Sequence, residues 1–72
     1  MGTIDYSKLR GRTRELGFTQ REVAAAAKMT ESTYSMKLSN RFPFKQQEIA
    51  DIVQFLGIQP QEISLYFFTP EV

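Results

Sequence analysis

The sequence predicts an all-α fold of five short helices. Three observations carry that prediction. No segment sustains the apolar–polar alternation of a strand. Breakers at Gly17, Asn40, Pro43, Gly57, Pro60 and Pro70 cut the chain into helix-length pieces. Capping side chains stand at the head of several of these pieces. At 72 residues the chain has room for one domain, 1–72, and not for two.

Ile4-Asp5-Tyr6-Ser7-Lys8-Leu9 opens the first helix. Asp5 can accept first-turn N–H groups, and Ile4 and Leu9 flank it as a hydrophobic staple. Leu9, Thr13 and Leu16 follow at helical spacing until Gly17. Phe18-Thr19-Gln20-Arg21-Glu22-Val23 is the clearest local signal. Thr19 and Glu22 form a capping box, with Phe18 and Val23 as the staple around it. Ala24 to Ala27 propagate this second helix and allow another helix to approach closely. Lys28-Met29 make a turn, and Thr30 caps the third helix, through Leu38. Tyr34 and Leu38 share its inner face. Asn40 can end it in the left-handed region. After a Phe42-Pro43-Phe44 loop, Ile49, Ile52, Val53 and Leu56 stripe the fourth helix, which Gly57 stops. Lys45 stands where a Ser or Thr cap is expected, a defect worth about 1 kcal/mol. Pro60 suits the first turn of a last short helix, with Ile63, Tyr66 and Phe67 facing inward. Residues 64–72 read as a short aromatic C-terminal extension ending in an extended tail.

The chain has no Cys, His or Trp. Disulfides, thiolate zinc sites and His-activated nucleophiles are therefore excluded. The composition argues against an enzyme and implies no cofactor and no metal. The longest apolar run is about five residues, too short to span a membrane. No basic-then-apolar leader opens the chain, so the cytosol is the expected compartment.

The net charge of +1 conceals an asymmetry. Residues 1–45 carry all nine cations against four acids, a net of +5. Residues 46–72 carry four acids and no cation, a net of −4. Such a split points to a basic face that meets an anion, or to chance clustering on a solvated surface.

Two short helices joined by a three- or four-residue turn in an all-α chain suggest a helix-turn-helix, here about 20–38. The segments Thr19-Gln20-Arg21-Glu22-Val23-Ala24 and Met29-Thr30-Glu31-Ser32-Thr33-Tyr34-Ser35 resemble the helix-turn-helix of the Cro and repressor class of temperate phages. Asp5 to Arg12 and Tyr66-Phe67-Phe68-Thr69-Pro70 are similar to small phage proteins of Gram-positive hosts, encoded near the lysogeny repressor. The resemblance implies a five-helix lambda-repressor-like DNA-binding domain. Some members of this group are Cro-like operator binders. Others are modulators of repression, or antirepressors, that act with or against the repressor protein.

Carried over position by position, the resemblance makes Gln20 a phosphate contact that braces the third helix. Glu31, Ser32, Ser35 and Met36 take the base-facing positions, and Lys37, Asn40, Arg41 and Lys45 contact phosphates. Such phosphate contacts supply affinity but not sequence information. The base-facing set departs from that of a strong operator binder. It has no Arg, Asn or Gln, the best bidentate readers. Glu31 either accepts from a cytosine amino group or simply favours the helix N-terminus electrostatically. Arg10, Arg12 and Arg14 are spaced by two, so at most two can face a common anion. Tyr66, Phe67 and Phe68 either close the core or form an interface with another protein or a second copy. The expected function is transcriptional regulation of the lysis–lysogeny switch by binding double-stranded operator DNA, as a homodimer. The alternative is an antirepressor that binds the cognate phage repressor.

Overall fold

The computed structural model describes residues 3–71. Met1, Gly2 and Val72, the ends of the expected 1–72 domain and 64–72 extension, lie outside the described residues. The helices are α1 (Ser7–Glu15), α2 (Gln20–Ala26), α3 (Glu31–Leu38), α4 (Gln46–Leu56) and α5 (Ile63–Phe67), with a 3₁₀ turn at Pro60–Glu62 leading into α5. The five-helix all-α expectation is met.

Each boundary has a local cause. The Asp5 carboxylate accepts the Ser7 N–H at 2.9 Å at the start of α1. At its end the Gly17 and Phe18 N–H groups return to the carbonyls of Arg14 and Thr13, with Gly17 at φ 81°. Leu16 falls beyond the last helical residue and is exposed, so it drops out of the expected stripe. Thr13 is buried, and its hydroxyl donates to the Leu9 carbonyl at 2.9 Å. At α2 the Thr19 hydroxyl accepts the Glu22 N–H at 3.1 Å, and the Glu22 carboxylate accepts the Thr19 N–H at 2.8 Å. At α3 the Thr30 hydroxyl accepts the Thr33 N–H at 3.1 Å. At α4 only half of such a box exists, because an ammonium cannot accept. The Glu48 carboxylate accepts the Lys45 N–H at 2.8 Å.

α2 packs on α3 and α4, and α1 packs on α5. The apolar core holds Leu9, Val23, Ala24, Ala27, Tyr34, Leu38, Ile52, Leu56, Tyr66 and Phe67 among others. Phe44, read from sequence only as a loop residue, is the aromatic hub. Its ring meets Tyr6 at 5.4 Å, Tyr34 at 5.9 Å and Phe67 at 5.4 Å, each edge-on. The tail is not free either. Ile4 and Pro70 form an antiparallel bridge, flanked by bonds from Asp5 N–H to the Thr69 carbonyl and from Glu71 N–H to the Thr3 carbonyl.

Candidate functional site

α2 and α3 are joined by four residues, Ala27 to Thr30, with Lys28 at φ 61° making the reversal. The first residues of α3 point outward. Glu31, Ser32 and Ser35 are exposed on one stripe, and Met36 at its edge is half-buried. All four expected base-facing residues therefore lie together. Gln20, the first residue of α2, is half-buried.

The expected phosphate contacts do not hold together as a set. Lys37 is buried, and its ammonium donates to the Glu48 carboxylate at 2.6 Å. It faces α4 rather than solvent, because it lies beside Leu38 on the inner side of α3. Asn40 is also committed. It sits at φ 65°, as its residue type allows, and its side-chain amide brackets the Ile4 backbone. The Ile4 N–H donates to Oδ1 at 2.8 Å, and Nδ2 donates to the Ile4 carbonyl at 2.9 Å. Arg41 and Lys45 remain exposed.

The aromatic trio divides in the same way. Tyr66 and Phe67 are core residues, because α5 lays them against α1 and Phe44. Phe68 is 57% exposed and Phe42 is 53% exposed. Together with Ile4, Pro43, Ile49 and Phe67 these two rings edge a shallow cleft.

One grouping was not legible in the sequence. Arg10 and Arg14, one turn apart on α1, line a cleft with Gln20 and Tyr34. Arg12 leaves this side. It pairs with Glu15 at 3.2 Å and reaches the Leu56 carbonyl at 3.5 Å, at the C-terminal end of α4. Of the three, only Arg10 and Arg14 share a helix face, at i and i+4; packing sets Gln20 and Tyr34 beside them. Burial pushes the Tyr34 phenol up to about 12, against the opposing influence of the Arg10 charge and the Thr13 hydroxyl.

Among the described residues no cluster of acidic side chains could hold a metal ion, and no helix is long and apolar enough to cross a membrane. The geometry thus offers an open α3 face, a paired-arginine cleft and two exposed rings, all of them binding features.

No curated protein sequence matches the chain. Among solved structures, the chain is similar to the modulator of repression of the temperate bacteriophage TP901-1 from Lactococcus lactis. The identity is 40%, the match covers 90% of this chain and 88% of that one, and the TM-score is 0.74. The resemblance to small phage regulators read from the sequence is borne out by this neighbour. A family described as "Protein of unknown function (DUF739)" matches residues 2–70, and the chain belongs to that family.

Proposed function

We propose that this protein is a modulator of repression that binds a phage repressor protein in the host cytosol. The observation that carries this reading is the 40% identity, over 90% of the chain, to the TP901-1 modulator of repression. Of the two roles expected from the sequence, it favours the antirepressor over the operator binder. The surface supports a protein partner as well. The outward face of α3 offers an acid, two hydroxyls and a thioether, with no bidentate base reader. Lys37 and Asn40, two expected phosphate contacts, are engaged within the protein, Lys37 by Glu48 and Asn40 by the Ile4 backbone.

The physical means is competition. A repressor neutralises phosphates with a basic surface. A helix that leads with Glu31, followed by Ser32 and Ser35, can lie on such a surface and keep DNA from it. The test is calorimetric titration of the chain into the cognate phage repressor, followed by a gel shift of that repressor on its operator. A complex at micromolar affinity or tighter, with release of the operator, is expected. Absence of a complex between the two folded proteins removes this reading.

Direct operator binding is the second reading, and the short α2–α3 connection with Gln20 at the start of α2 favours it. Glu31→Gln separates the two. It tightens non-specific duplex binding if α3 enters the groove, and leaves it unchanged otherwise.

A further inference from the structure

We infer that the cleft between α1, the start of α2 and α3 is a carboxylate-binding site that receives an acidic side chain of a protein partner. The choice of a protein as the source of that carboxylate rests on the reading above. The cleft itself stands on its own geometry.

Its volume is about 220 Å³, and Arg10, Arg14, Gln20, Phe18, Tyr34 and Leu38 line it. Arg10 and Arg14 lie at i and i+4, so their guanidinium groups share one helix face. Like charges so placed repel each other. Among the described residues neither has an ion-pair partner; the pairs formed are Arg12–Glu15 and Lys37–Glu48. The neighbouring acids are otherwise engaged, Asp5 by the Ser7 N–H and Glu15 by Arg12. An anion between the two guanidinium groups would relieve the repulsion and complete forked hydrogen bonds, which suit a carboxylate. Gln20 adds a neutral amide donor. The Tyr34 phenol stays protonated well above neutral pH, so it brings no competing negative charge.

The walls decide which anion fits. Phe18 and Leu38 are apolar, and they suit the methylene stem of a Glu or Asp side chain. A duplex instead presents an unbroken row of phosphates. Glu31, exposed on the same α3 helix that contributes Tyr34 and Leu38 to the cleft, opposes such a row. A single carboxylate on a short stem meets less of that repulsion.

The experiment uses the full-length, isotope-labelled chain. NMR titration with hexaglutamate is compared with titration by a short DNA duplex, for the unaltered chain, R10Q/R14Q, R10K/R14K and R21Q. Hexaglutamate is expected to shift the side-chain N–H signals of Arg10, Arg14 and Gln20. R10Q/R14Q loses that response, and R10K/R14K, which keeps the charge but not the fork, retains only part of it. Against the cognate phage repressor, R10Q/R14Q weakens binding by about 10- to 100-fold and R21Q by less than about twofold. Both arginines are exposed, so all variants should melt like the unaltered chain. Undiminished repressor binding by R10Q/R14Q overturns the inference and leaves the proposed function intact. Loss of duplex binding alone makes the cleft a phosphate site, and equal shifts at every exposed cation make it no site; either result overturns the inference. If the unaltered chain forms no complex with the repressor, the proposed function fails. The hexaglutamate titration then decides the carboxylate site by itself.

Discussion

Lys37 shows how little the identity of a single residue says about its role. In the sequence it is a free cation at the exit of α3. In the fold its ammonium is buried, and a buried charge must be paired. Glu48 pairs it at 2.6 Å and also accepts the Lys45 N–H. Burial pushes the Glu48 carboxyl up, but the Lys37 and Lys45 hydrogen bonds and their charges outweigh it, so the net shift is below the usual 4.5. The sign follows by linkage. A lowered carboxylate stabilises the fold above about pH 4.5, and that contribution is lost as pH falls through the folded-state value. Thermal melts followed by circular dichroism should therefore fall off on the acid side, with a shallower acid limb in Glu48→Gln. At neutral pH, Lys37→Ala should cost about 2–3 kcal/mol, because it strands a mostly buried carboxylate.

At the scale of the helix, the caps are legible in the sequence because each capping side chain bonds its own neighbours. Thr19 and Thr30 cap α2 and α3, and Gly17 and Gly57 take positive φ at helix ends. These contacts span a few residues, so spacing alone reveals them. The uncapped start of α4 belongs to the same class. Lys45→Ser supplies the missing acceptor while Glu48 keeps its bond to the residue 45 N–H. The urea midpoint should rise by the equivalent of about 0.5–1 kcal/mol. No change, or a fall, would mean that the Lys45 charge beside Glu48 matters more than the cap. The helices themselves are short, and α5 has only five residues. Such lengths are not stable alone, so packing must hold them.

Across the whole molecule, an aromatic cluster joins segments far apart in sequence. Phe44 touches rings from three other segments, and the Cα radius of gyration is 11.1 Å, matching the roughly 11 Å of a compact chain this long. Phe67→Ala should therefore cost about 3–4 kcal/mol, whereas Phe68→Ala, at an exposed position, should stay within about 0.5 kcal/mol. Chemical denaturation of the two variants checks this, and equal losses would mean that Phe68 is packed too. The charge asymmetry also changes meaning at this scale. The buried Lys37–Glu48 pair draws one cation from the basic half and one acid from the acidic half. What remains of the basic half on the surface includes the Arg10–Arg14 cleft.

Residue type and short-range spacing settle the helices, the caps of α2 and α3, the inner faces of α3 and α4, and the resemblance to small phage regulators. All of these depend on spacings within one or two turns. Packing was needed to bury Lys37 against Glu48, to tie the exposed Asn40 to the Ile4 backbone, to bring Gln20 and Tyr34 beside Arg10 and Arg14, and to bury Tyr66 and Phe67 while leaving Phe68 exposed. It also made a loop phenylalanine the hub of the core. Those outcomes depend on which helix covers which face, and that is set by packing among distant segments rather than by any residue's neighbours in the chain.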